Sequence, residues 1–184
     1  MSKKFTHRLA TMDDAPAIRD VMTKAIYELQ KDFLSEEQLK AAPNFMGLDT
    51  TLIQDQTYYV ILHGEGMDNE TIVGCGGWGK RATLYGGDKS AGRSNELLDP
   101  KKDRARVRAM YCHPDWARNG IGSMIMNIVE GAARDAGFNK MTLGSTLAGE
   151  KLYQHYGYKE ISRTMDVTED GVEVPLIRMI KDFK

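Results

Sequence analysis

Two periodicities divide this chain. Short runs rich in β-branched and aromatic residues read as strands: "FTHRLA", "TYYVILHG", "TIVGCGGW", "RARVRAMYCH", "KMTLGS", "YKEISRTMDV" and "VPLIRMIKDF". Between them lie segments of helical period. In the first, Ile18, Val21, Met22, Ala25, Ile26 and Leu29 share one face. Thr11, Asp13 and Asp14 offer caps there, and Pro16 suits a first turn. "SEEQLKAAPNFM" predicts a weaker second helix, ended by Pro43. Ile121, Met124, Ile125, Ile128, Val129, Ala132 and Ala136 predict a third helix, closed by Gly137. "LAGEKLYQHYG" predicts a short fourth one.

"EGMDNE" is the expected turn of a hairpin, and "TEDG" joins the last two strands. Residues 79 to 103 hold glycines, charges and no sustained period, which predicts a partly mobile excursion between two adjacent strands. The resulting order, β-α-α-β-β-β-α-β-α-β-β, is a mixed sheet with helices on its faces, of α/β or α+β class.

Composition narrows the setting. With 184 residues the chain suits one domain, residues 1–184, with a proper core. A net charge of -1 provides no electrostatic reason to expect nucleic acid or an anionic membrane as partner. No apolar run approaches a membrane span, and "MSKKFTHRLATMDD" lacks the apolar core of a secretion signal. Cys75 and Cys112 sit in apolar strands and cannot make a disulfide framework, so the expected compartment is cytoplasmic. His7, His63, His113 and His155 lack ligand spacing, and no metal site is expected.

The informative stretch is "MYCHPDWARNGIGSMIM", a strand feeding a glycine-bearing turn that opens a helix. The first N–H groups of a helix have no intrahelical partners, and the macrodipole adds partial positive charge. Such a turn is a generic anion cradle. The better-known phosphate motifs are excluded. Gly122 is followed by Ser123 and Met124 where a P-loop needs lysine, and Ile125 stands where the dinucleotide fingerprint needs its third glycine.

"VRAMYCHPDWARNGIGSMIM" resembles the acyl-coenzyme A binding segment of the GCN5-related N-acetyltransferases. That segment is an apolar strand, "HP", and then Gln/Arg-x-x-Gly-x-Gly/Ala. A second family signature is matched by "TLAGEKLYQHYGYKEI". Tyr153 stands on the family tyrosine, Gly157 on its glycine and Tyr158 on the aromatic that begins the next strand. The resemblance covers nearly the whole chain, least well at residues 30 to 57 and 79 to 103. It departs at Ala117, where the family has Gln or Arg, and at Thr146 and Gly149, where it has Asn and Ala.

The resemblance implies a mostly antiparallel central sheet with splayed middle strands and helices on both faces. It also implies acetyl-CoA as co-substrate. The pantetheine arm would lie along Met110, Tyr111 and Cys112, and the pyrophosphate on the N–H groups of Arg118, Asn119, Gly120, Ile121, Gly122 and Ser123. Tyr153 would donate a proton to the departing thiolate. The implied reaction is N-acetyl transfer to a primary amine of a small molecule or protein, by direct attack in a ternary complex. Many family members carry a Glu on the strand before "HP". Here that strand reads Arg104, Ala105, Arg106, Val107, Arg108, so the base is open among Asp103, Glu96, Asp88, His113 and water. Trp78, Arg81 and Tyr85 are expected to border the acceptor pocket. The three strand arginines either read an anionic acceptor or pair with the chain's own acids. A catalytically silent coenzyme-binding subunit and an O-acetyl or longer-acyl transferase are the competing readings. The C-terminal strands offer a route to a homodimer.

Overall fold

The computed structural model describes residues 5–64 and 70–184. The described residues form a seven-stranded sheet in the order β1-β2-β3-β4-β5-β7-β6. Its strands are β1 (Phe5–Leu9), β2 (Tyr58–His63), β3 (Thr71–Gly79), β4 (Ala105–Cys112), β5 (Lys140–Ser145), β6 (Lys159–Val167) and β7 (Glu173–Asp182). Neighbours are antiparallel except β4 and β5, which run parallel. Helix α1 (Ala15–Leu29) follows one turn of 3₁₀ helix, and α2 (Glu36–Ala41) runs into another that carries Pro43. The sheet is then crossed by α4 (Ile121–Asp135), and α5 (Glu150–His155) precedes β6.

The expected element order holds, with one addition. Helix α3 (Thr50–Gln54) stands where no helix was expected. It is too short to show a period, yet Asp49 caps it by accepting from the Thr51 N–H at 3.0 Å. The turn expected between β2 and β3, residues 65–70, lies outside the described residues except for Glu70.

Alternation along the central strands builds a core on each face. Ile61, Val73 and Val107 pack with Ile121, Ile125 and Val129 of α4 on one side. Val60, Leu62 and Cys75 pack with Ile18, Val21 and Met22 of α1 on the other. The glycines of β3 set how closely α4 approaches. A Cβ on Gly74 would lie 2.5 Å from Ile121 Cγ2, and one on Gly76 would lie 2.6 Å from Ile125 Cγ2. The first turn of α4 therefore rests on bare backbone, which fixes where its N-terminus points.

Candidate active site

The parallel pair β4–β5 is joined only through Ala105 with Met141 and Arg106 with Thr142. Beyond these positions the strands part. A bulge in β4 marks the departure. Pairing with β3 shifts register between Cys75 and Gly77, and Ala109 takes the left-handed φ of 48°. The Tyr58 hydroxyl donates to the Ala109 carbonyl at 2.7 Å and holds the bulge from the α1 side. Tyr111 and Cys112 remain paired to β3 alone, Met110 falls in the bulge, and among the described residues the β5-facing edge of these three has no strand partner.

A cleft of about 580 Å³ runs through this gap. It reaches the start of α4 on one side and the end of α1 with residues 45–47 on the other. Met110, Tyr111, Cys112, Arg118, Gly120, Ile121, Gly122, Ser123 and Tyr153, all marked in the sequence, line it together. Asn119 does not. Its side-chain amide donates to the Trp116 and Ala117 carbonyls, both at 3.0 Å, and braces the turn.

At the α4 end, among the described residues no hydrogen bond engages the N–H groups of residues 118 to 123. The first N–H with a partner is that of Met124, which donates to the Gly120 carbonyl at 2.9 Å. Gly120 has φ +84°, a conformation open to glycine at little cost, and space lies where its Cβ would stand. Gly122 is small for another reason, since a Cβ there would lie 3.0 Å from Leu152 Cδ2 of α5.

Tyr153 projects from α5 across the gap, and its hydroxyl donates to Met110 Sδ at 3.7 Å. Tyr158 braces the ring edge-on, with centroids 6.1 Å apart. Burial pushes the Tyr153 phenol up to about 12 and the Cys112 thiol on the facing wall up to about 11. Both are protonated at neutral pH. Cys75, buried in β3 on the α1 side, is pushed up to about 12 for the same reason.

The carboxylates considered as bases are engaged or stand elsewhere. Asp103 accepts from the Asp99 N–H at 2.7 Å, and Asp88 accepts from the Thr50 N–H and hydroxyl, both at 2.9 Å. Glu96 is exposed, and His113 Nδ1 accepts from the Asp115 N–H at 3.2 Å. None of the four lines the cleft; Asp166, near the end of β6, does.

Two expected border residues are corrected. Trp78 is buried in the core against Phe138, because its place in β3 turns it toward α4. Arg81 is held away by Asp55, with two bonds of 2.7 Å. Tyr85 does line the cleft, with its ring close over Gly144 of β5.

The strand arginines serve the fold. Arg104 pairs with Asp182, and Arg106 donates to the Arg104 carbonyl at 2.6 Å. Arg108 pairs with Asp49 at 2.7 Å, both nearly fully buried, and donates to the Thr83 and Gly86 carbonyls at 3.1 and 2.8 Å. Arg93 joins Asp49 from the excursion itself, at 2.7 Å. Residues 79–103 are thus tied to β4 and α3 by buried charge. Sequence inspection missed Asp49, and the signal that could have found it is its place before "TTLIQ" as a helix cap.

Among the described residues no helix is long and apolar enough to cross a membrane, and no group of three or more His, Cys, Asp or Glu side chains is placed to hold a metal.

Solved structures repeat this architecture. A GCN5-related N-acetyltransferase from Rhodopseudomonas palustris superposes with a TM-score of 0.68 at 19% identity, covering 100% of this chain and 99% of its own. YncA, a putative acetyltransferase from Salmonella typhimurium with its cofactor acetyl-CoA, gives 0.60 at 17%, covering 98% and 94%. The ribosomal-protein-S18-alanine N-acetyltransferase from Escherichia coli gives 0.58 at 15%, covering 98% and 95%. At such identities the likeness is one of fold. No curated protein matches this chain in sequence. The family model of the acetyltransferase (GNAT) domain matches residues 54–160, which takes in the split strands, the free N–H groups and Tyr153. The chain belongs to the GCN5-related N-acetyltransferase family.

Proposed function

We propose that this protein transfers an acetyl group from acetyl-CoA to a primary amine by direct attack in a ternary complex. One observation carries the reading. A single cleft joins the free N–H groups of residues 118–123 to the unpaired edge of Met110–Cys112 and then to the Tyr153 hydroxyl. That order matches the parts of the co-substrate: an anionic diphosphate, an amide-bearing arm and a thioester. The free N–H groups at the α4 N-terminus suit the diphosphate. The β5-facing edge of β4 suits the arm's amides, which would add to it as a short strand. YncA, with its bound acetyl-CoA, supports the assignment.

The chemistry balances with these groups. The amine's lone pair attacks the thioester carbonyl, a C–N bond forms and the C–S bond breaks. Tyr153 gives its proton to the leaving sulfur, and the proton shed by the amine passes to water. A covalent acyl-enzyme is disfavoured, because burial keeps both thiols protonated at neutral pH.

The testing experiment is thiol release from acetyl-CoA across polyamines, amino acids, aminoglycosides and peptides. Amine-dependent release is expected. Coenzyme binding with no release for any amine would leave the silent coenzyme-binding subunit as the answer. At the cradle, Gly120→Ala is expected to raise the coenzyme A dissociation constant about tenfold in calorimetry, because a side chain in the left-handed region costs about 1–2 kcal/mol and relaxing it turns the N–H groups away. An unchanged constant would remove residues 118–123 from the binding site.

A further inference from the structure

Among the described residues three charged side chains line the cleft: Arg118, Arg108 and Asp166. Arg118 belongs to the α4 end. Arg108 is bound to Asp49 at 2.7 Å, a carboxylate it shares with Arg93. Asp166 lies at the opposite end, half-buried, where β6 pairs with β7 through Asp166 and Val174. Among the described residues no cation is paired with it. Its neighbour is Tyr85, whose phenol is pushed up to about 12 by burial and by the facing carboxylate. The Tyr85 ring approaches to 3.2 Å from where a Gly144 Cβ would stand, so Asp166 sits one phenol ring from the point at which β5 leaves β4. The walls between are apolar: Leu29, Phe33, Phe45, Met46 and Leu176. Phe33 is 51% exposed, a large apolar surface turned outward beside the cleft.

We propose that Asp166 is the counter-charge for the acceptor, and that the acceptor is a cationic alkyl- or arylalkylamine with no carboxylate beside its nitrogen. The inference rests on the transfer reading and deepens it. An aliphatic amine arrives protonated at neutral pH. Asp166, the one carboxylate that lines the cleft among the described residues, meets that charge, and the apolar walls bury the hydrocarbon behind it. An α-amino acid would bring its own carboxylate against Asp166, while Arg108 is turned to Asp49 and to the Thr83 and Gly86 carbonyls. Like charges so placed repel, and the cleft rejects the zwitterion.

The test compares 2-phenylethylamine with phenylalanine, which differ by that carboxylate. Wild-type protein is expected to favour the amine about 100-fold in kcat/KM, the scale of a like-charge clash at a partly desolvated site. Asp166→Asn is expected to raise KM for 2-phenylethylamine about tenfold with the coenzyme A dissociation constant unchanged, and Asp166→Glu to restore most of the loss. Unchanged coenzyme affinity also reports that the variants are folded. Equal KM values in wild type and Asp166→Asn, or preference for phenylalanine, would overturn the proposal. Calorimetric titration of 2-phenylethylamine into the coenzyme A complex separates the two layers. Binding that Asp166→Asn weakens, without thiol release, keeps the subsite and sinks the transfer reading. No binding to wild type sinks the subsite.

Discussion

Tyr153→Phe is expected to lower turnover by about 10²–10⁴-fold, the range of a lost general acid, with coenzyme A affinity nearly unchanged. The hydroxyl, 3.7 Å from Met110 Sδ, is the only part of the side chain removed. Its ring still packs on Tyr158 and still fills the space beside Gly149. The proton transfer is feasible because the cleft acts on both partners. A phenol near 12 giving its proton to a thiolate with the ordinary pKa of about 8.5 would be uphill by about 5 kcal/mol. The Cys112 thiol shows what this wall does to a sulfhydryl: burial lifts it to about 11. Against a leaving thiolate treated alike, the gap shrinks to about 1.4 kcal/mol. Since Tyr153 keeps its proton, kcat should show no falling limb from it up to about pH 10. Single-turnover kinetics with calorimetry on the same preparation check both points. A Phe variant with wild-type turnover would leave the thiolate without its assigned donor.

Asp49→Ala is expected to cost about 3–5 kcal/mol of stability, because it strands the buried Arg108 and the partly buried Arg93 at once. Arg108 and Arg93 both reach this carboxylate at 2.7 Å, and the same side chain caps α3. For a domain of this size the loss corresponds to a fall of about 6–20 °C in Tm. Asp49→Asn retains acceptor capacity and should fall between the two. Urea and thermal unfolding followed by circular dichroism would measure the series. A loss below about 1 kcal/mol would mean the cluster adds nothing beyond surface ion pairs.

The same residue sets an acid limit. Burial pushes the Asp49 carboxyl up, but hydrogen bonds and charge from Arg93 and Arg108 outweigh it and hold the pKa below the ordinary 3.8. Asp14 is likewise held low, chiefly by hydrogen bonds from Arg8 at 2.7 and 2.8 Å. A depressed carboxylate contributes its stability in full above the unfolded value and loses it as pH falls through the folded one. The urea midpoint should therefore hold from neutral pH down to about 5 and drop below about 4, less steeply in Asp49→Asn.

Most of the architecture was readable because local signals and burial agree. Short apolar β-branched and aromatic runs such as "TYYVILHG", buried on both faces, and the apolar stripe of α4, buried on one, have a type and order that follow from the chain. Helix α3 escaped because five residues hold barely more than one turn of evidence. The turn at residues 118–123, with its glycines, and Tyr153 were found through linked motifs, and the fold brings them to one cleft. Trp78 and Arg81 were misplaced because nearness in sequence to Tyr85 says nothing about which face a strand residue takes, or which acid meets it.

Pattern along the chain thus settles the elements, the free N–H groups at the start of α4 and the family, since each depends on neighbours a few positions apart. The parting of β4 from β5, the union of Asp49 with Arg93 and Arg108, and the arrival of Asp166 in the cleft depend on residues tens of positions away. No local preference encodes such meetings. They follow from a bulge at Ala109 that opens the sheet and from buried charges that must find partners, and both are satisfied only once the whole sheet has closed around them.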